Sequence, residues 1–237
     1  MRIAMWSGPR NLSTAMMYSF GARSDFAVVD EPFYAAYLAK TGLDHPMRDD
    51  ILASQPDDPA KVVDGLLGSV PAQKPHFYQK HMSQHMIPGV PRDWIDQVSN
   101  VFLIRHPARV AASFSAKYDR PTLADIGFVQ QAELFNQLTD AGSNPIVIDS
   151  HDIRDDPEKM LRRLCDALGL PWDASMLHWP AGGHPQDGVW AAHWYGAVHR
   201  STGFAAAEGD LPVLETDQQA LCDAAMPAYE HLKRYKI

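Results

Sequence analysis

Five short apolar runs recur along the chain: Ile3–Trp6, Phe26–Val29, Phe77–Tyr78, Val101–Ile104 and Ile146–Ile148. Runs of this length, apolar on both sides, are the pattern of parallel strands buried on both faces. Between them lie amphipathic stretches of helical length, Ser13–Ala22, Ala108–Lys117, Leu123–Ala141 and Pro157–Leu168. Asp217–Lys236 reads as a closing helix despite Pro227. Alternation of strand and helix predicts βαβ units, hence an α/β fold with a mostly parallel sheet flanked by helices in three layers. Right-handed crossovers then gather the C-terminal ends of the strands on one edge, where such sheets bind ligands. Residues 34–75 and 171–215 are less regular and read as loops or lids over that edge, within a single domain spanning 1–237.

Composition adds limits. A chain of 237 residues, 46% hydrophobic and 21% charged, can build a core without staples. Cys165 and Cys222 both fall in helix-like stretches, so a reducing compartment is expected over a disulfide framework. No apolar run approaches the ~20 residues of a membrane span, and the opening MRIAMWSGPR has no signal-peptide core, so a cytoplasmic protein without a membrane partner is expected. The net charge of −8 disfavours a nucleic-acid partner. The charge is uneven: residues 1–118 carry 12 Lys/Arg against 11 Asp/Glu, whereas residues 119–237 carry 9 against 18. An anionic ligand therefore belongs on the N-terminal half, held by local donors.

The first candidate site follows the first strand: Ser7-Gly8-Pro9-Arg10-Asn11-Leu12-Ser13-Thr14, opening an apolar helix. A strand, a tight turn and a helix start present free backbone N–H groups and the positive end of a helix dipole to an anion. The loop has the length of the nucleotide P-loop G-x-x-x-x-G-K-[ST], but Ser13 and Thr14 stand where the second Gly and the Lys belong. Arg10 supplies the cation instead, which disfavours an ATP or GTP hydrolase. The plain alternative is a βα turn with Ser13 as a cap. The second candidate is Ile104-Arg105-His106-Pro107 and its helix, with Ser113 eight residues beyond Arg105. An Arg fork and a hydroxyl two helical turns away can share one phosphate, although an Arg paired with an acidic neighbour would read the same way. The third is Tyr78-Gln79-Lys80-His81, where His81 at a strand end is a candidate general base. His81 and His85 are spaced i, i+4, but no third ligand makes a metal site of them. The fourth is Asp30-Glu31-Pro32-Phe33, a rigid acidic turn at the same edge. In the fifth, Asp149 to Pro171, Asp156 suits an N-cap, Pro157 the first helical position and Gly169 the C-terminal stop, which is a structural role. Trp172, Trp179, Trp190 and Trp194 are candidates for an apolar cleft or for core.

Taken in order, SGPRNLST, FLIRHPARVAASF and VIDSHDIRDDPEKMLRRLCDALGLPWD resemble the phosphosulfate loop, the 3′-phosphate strand and helix, and the later strand and helix of sulfotransferases that use 3′-phosphoadenosine 5′-phosphosulfate (PAPS). The resemblance covers residues 2–33 and 100–173 and implies a P-loop-like fold. It also implies that Gly8, Pro9, Arg10, Asn11, Leu12, Ser13 and Thr14 hold the phosphosulfate and that Arg105 and Ser113 hold the 3′-phosphate. Arg10 stands where the family usually has Lys, and Arg200, in Val198–Phe204, is the candidate for a later Gly-rich phosphate segment. His81, or else Glu31, would take the acceptor proton. The activity implied is metal-independent, in-line transfer of a sulfuryl group from PAPS to a hydroxyl or amine, leaving 3′,5′-bisphosphoadenosine (PAP). The expected partner is a small-molecule acceptor, neutral or cationic, and a homodimer is the base-rate expectation. A kinase-like enzyme using ATP and Mg²⁺, and a non-catalytic nucleotide-binding protein, are the alternatives.

Overall fold

The computed structural model describes residues 1–118 and 120–237. Five strands, β1 (Arg2–Ser7), β2 (Phe26–Asp30), β3 (His76–Met82), β4 (Ser99–Ile104) and β5 (Ile146–Asp149), form one sheet in the order β2-β3-β1-β4-β5. Every pairing is parallel. The expected α/β architecture is the one observed.

Side-chain parity divides the core into two. Ala4, Trp6, Phe77, Phe102, Ile104 and Val147 pack on one face, against the helices Pro107–Ser115, Phe128–Asp140 and Thr216–Lys233. Ile3, Met5, Tyr78, Val101, Leu103 and Ile148 pack on the other, against α1 (Ser13–Gly21) and the helix Pro157–Leu168. Both faces of each strand are therefore buried, as parallel sheets require. In β3 this places Phe77, Gln79 and His81 towards the first face and Tyr78, Lys80 and Met82 towards the second.

Three local features differ from the sequence expectation. β3 runs on to Met82 through Gln79, Lys80 and His81, because those buried polar groups find partners or aromatic neighbours in the fold. The stretch expected as one helix over Leu123–Ala141 breaks into Leu123–Ile126 and Phe128–Asp140 at Gly127. There φ is +69°, and a Cβ would lie 2.9 Å from the Gln84 backbone nitrogen, so only glycine fits without a shift. Residues 34–75 are not simply loop: α2 (Tyr34–Thr41) and the helices Arg48–Ser54 and Pro59–Leu67 occupy them. The helix Pro157–Leu168 starts and stops as read, with Asp156 accepting from the Lys159 N–H and Gly169 in the left-handed region. Among the described residues no helix is long and apolar enough to cross a membrane.

Candidate active site

The order of the sheet fixes where a ligand can lie. After β1 the chain goes to one side of the sheet, and β4 returns on the other, so the C-terminal ends of β3, β1 and β4 border a crevice. A cavity of about 980 Å³ opens there. It is lined by the loop Pro9–Thr14, by Glu31, by Lys80, Met82 and His85, by Arg105, and by Arg154, Arg200 and Tyr195.

The loop after β1 is shaped for an anion. Arg10 and Leu12 both adopt left-handed backbone, φ +58° and +61°, whereas Pro9, Asn11 and Ser13 do not. Alternation of this kind turns successive N–H groups inward as a nest. No side chain caps the start of α1, so its first N–H groups are left to a ligand or water. Two side chains pin the loop. Asn11 donates from Nδ2 to the Leu103 carbonyl at 2.6 Å, tying the loop to the end of β4. Arg10 donates from Nε to Ser113 Oγ at 2.9 Å, and burial together with the neighbouring Arg105 charge lowers the Arg10 pKa. Gly8 is needed for packing: a Cβ would sit 2.4 Å from the Ile126 carbonyl oxygen. Gly8 thus shapes the loop from behind, while Pro9, Arg10, Asn11, Leu12, Ser13 and Thr14 line the cavity.

Beside the loop, Arg105 donates to the Arg10 carbonyl and to the carboxylate of Glu208. Arg109 and Arg154 converge on the same carboxylate, at 3.1 Å and 2.6 Å. The structure thus brings Arg10 and Arg105 to one end of the cavity, with Ser113 bonded to Arg10 and itself outside the cavity lining. Arg200 lies exposed on the rim after the short helix Gly196–His199.

At the other end sits a buried polar cluster, of which the sequence reading named Asp30 and Glu31 but gave no role to Lys80 or Tyr195. Lys80, 1% exposed, donates to Asp30 Oδ1 at 2.8 Å, to Glu31 Oε1 at 2.7 Å and to the Tyr195 hydroxyl at 2.5 Å. Tyr195 donates to Asp30 Oδ2 at 2.8 Å and accepts from Trp190 Nε1, while the Gly188 N–H donates to Asp30. Burial opposes the charge on Lys80, but the two carboxylates outweigh it and raise its pKa. Burial raises that of Asp30. Glu31 holds an unusual φ of +39°, strain of the kind found where a side chain must be aimed. Segment 188–195 is therefore fastened over the site by Asp30.

His81 is elsewhere. The strand parity that aims Lys80 at the cavity turns His81 into the core, where its ring is 1% exposed and stacks on Trp6 at 4.5 Å. Phe33 and Trp94 enclose it, Nδ1 has no partner, and burial with the neighbouring His85 pushes its pKa down to about 3. This corrects the expectation of His81 as base: the ring neither reaches the cavity nor holds a proton readily. His85 does line the cavity, stacked between Tyr34 and Tyr37 at 4.8 Å each, so the i, i+4 pair shares no site. Of the four tryptophans in 172–194, Trp194 lines the cavity, Trp179 and Trp190 are core, and Trp172 packs under the Arg162 guanidinium at 4.6 Å. Aromatic rings and an imidazole, Tyr34, Tyr37, His45, Tyr118 and Trp194, thus wall this end of the cavity.

A phosphate-type loop at the switch point of a parallel sheet, opening into an aromatic-walled cavity, defines an α/β fold of the P-loop-like class. Comparison with known proteins narrows the class: a family model described as a sulfotransferase domain matches residues 1–236, and the chain belongs to that family. Two Arabidopsis thaliana proteins, branched-chain-amino-acid aminotransferase-like proteins 1 and 2, are 39% and 37% identical to it over 234 residues, or 98% of this chain. The chain spans about two fifths of their length, 42% and 41%. Among solved structures, mouse sulfotransferase SULT7A1 complexed with PAP matches with a TM-score of 0.57 at 14% identity, covering 99% of this chain and 88% of that one. The sulfotransferase domain from the curacin biosynthetic pathway matches with a TM-score of 0.55 at 14% identity, covering 94% and 96%. At such identities these two establish the fold.

Proposed function

We propose that the protein transfers a sulfuryl group from PAPS to a hydroxyl or amine of a small acceptor. The observation that carries this reading is the joining, in one cavity, of the Pro9–Thr14 loop and Arg105, with Ser113 bonded to Arg10 beside them. The residues fit a donor with two separate phosphates. The loop N–H groups, Ser13 and Thr14 would hold the 5′-phosphosulfate, and Arg105 and Ser113 the 3′-phosphate. An anion already suits the second place, since the Glu208 carboxylate sits among three guanidiniums there. A family neighbour holding PAP supports the same choice of nucleotide.

When bound, the donor supplies an electrophilic sulfur and a leaving phosphate. The chain's own groups do the rest. Arg10 and the loop N–H groups place fixed positive charge where the leaving oxygen develops negative charge, a contribution of roughly 3 kcal/mol per donor in such sites. That is the work Mg²⁺ does in kinases, and it is why the account is metal-independent. Glu31 takes the acceptor proton. Of the two bases expected from sequence, it is the one at the cavity wall. Lys80 and the strained backbone fix its carboxylate, so Lys80 is a positioning residue. The acceptor lies against Tyr34, Tyr37 and Trp194, whose faces suit a small neutral or cationic molecule.

The test is PAP release from PAPS over a panel of small hydroxyl and amine acceptors. Glu31→Gln should lower turnover by ~10²–10⁴-fold while sparing PAP affinity. Retained turnover would move the base to one of the imidazoles at the wall, His45 or His85. PAP binding with no transfer to any acceptor would favour a non-catalytic nucleotide-binding protein.

A further inference from the structure

The arginine cluster at the β4 edge already has an occupant from the chain itself. Arg105 and Arg154 both donate to Glu208 Oε1, and Arg109 Nε lies 3.1 Å from Oε2. Around it, Arg154 Nε donates to the Ala206 carbonyl at 2.9 Å, and Arg109 donates to the Gly209 carbonyl. Among the described residues, every hydrogen bond or ion pair made by residues 205–214 is with one of these three arginines. The segment has no helix or strand, and beyond it Leu211 and Val213 are exposed. The Glu208 side chain is thus 4% exposed, on a segment moored only by salt bridges and hydrogen bonds from these arginines.

The charges are unequal. Three guanidiniums face one carboxylate, which leaves an excess of two positive charges. A phosphomonoester carries about −1.5 to −2 near neutral pH and offers more oxygens to planar donors than a carboxylate does. It fits this receptor better than Glu208 does. Arg105 is also the residue that the donor's 3′-phosphate would need.

We propose that Arg109 and Arg154 complete, with Arg105, a three-arginine receptor for the 3′-phosphate of the nucleotide, and that Glu208 occupies this receptor until the phosphate displaces it. The inference rests on the PAPS reading above. Segment 205–210 is then a plug that opens when the nucleotide arrives and closes when PAP leaves. A receptor held shut most of the time weakens apparent affinity by the fraction open, and removing the plug recovers that factor.

The experiment is calorimetric titration of PAP and AMP into the wild type, Glu208→Gln and Arg154→Ala, with amide hydrogen exchange of 203–212 in the wild type. Glu208→Gln should tighten PAP by about tenfold and leave AMP unchanged, because AMP has no 3′-phosphate to compete. Arg154→Ala should weaken PAP by about tenfold with little effect on AMP. Exchange in 203–212 should rise when PAP binds the wild type, a readout that needs no variant to fold. An unchanged PAP-to-AMP ratio in Glu208→Gln, or protection of 203–212 by PAP, overturns the plug while leaving the nucleotide reading in place. Failure of PAP to bind wild type and Glu208→Gln alike overturns both.

Discussion

Replacing His81 by Phe should remove an acid weakness from the core. The imidazole is buried, stacked on Trp6 at 4.5 Å, with Nδ1 unpartnered and Nε2 only 3.3 Å from Gln79 Oε1. Burial, helped by the neighbouring His85, pushes its pKa to about 3, against about 6.5 in the unfolded chain. The folded-state value is depressed, so the stability tied to the neutral ring is complete above pH ~6.5 and is lost as pH falls from there towards about 3. In that window the unfolded chain binds one more proton than the native one, a slope of about 1.4 kcal/mol per pH unit. At pH 4.5 the loss reaches about 3 kcal/mol, a large share of a typical 5–15 kcal/mol. Phenylalanine keeps the ring on Trp6 and cannot titrate. Any packing penalty of the larger ring is independent of pH and enters as a constant offset. The assay is urea unfolding of both proteins at pH 7.5, 6.5, 5.5 and 4.5. The wild-type stability minus that of the variant should be flat at high pH and fall by about 1.4 kcal/mol per unit below 6.5. A difference constant down to pH 4.5 would show that the ring is not held neutral, and would refute the burial argument. PAP affinity should survive the substitution.

Three further outcomes are expected. Lys80→Met strands Asp30 and Glu31 without their shared cation and should cost on the order of 3–5 kcal/mol by urea unfolding, with partial recovery when Asp30→Asn is added. Equal stability of Lys80→Met and wild type would mean the cluster is not charged as described. Gly8→Ala drives a Cβ against the Ile126 carbonyl and should lose about 1–3 kcal/mol along with PAP affinity, measured by melting with and without PAP. Arg10→Ala should slow transfer by ~10²–10³-fold in single-turnover experiments, and a loss confined to PAPS binding would reduce Arg10 to a loop pin held by Ser113.

Much of the fold was legible because parallel strands are apolar on both sides and short. That pattern found the core of all five, and the Asp156-Pro157 start and Gly169 stop bounded one helix as observed. The same property hid the burial of His81. When both faces of a strand are buried, nothing in Tyr78-Gln79-Lys80-His81 tells which parity faces the ligand. The sequence reading favoured His81, and the register that pairs Trp6 with His81 aims Lys80 inward instead. Arg10 and Arg105, read from local motifs, do line the cavity. The site's other half was hidden in sequence separation: Tyr195 meets Glu31 across 164 positions and Glu208 meets Arg105 across 103. Local chemistry reveals one member of such a pair, and only the tertiary fold supplies the other.

The central claim is that the loop and the arginine cluster hold a nucleotide by two separate phosphates. Calorimetric titration of PAP, AMP and ATP, each with and without Mg²⁺, into the wild type and Arg105→Ala tests it most directly. PAP should bind the wild type tightly without Mg²⁺, and Arg105→Ala should cost PAP about 2 kcal/mol or more while leaving AMP nearly unchanged. Equal losses for PAP and AMP, or ATP binding that requires Mg²⁺ and ignores the 3′-phosphate, would contradict the account and return the site to a kinase-like enzyme.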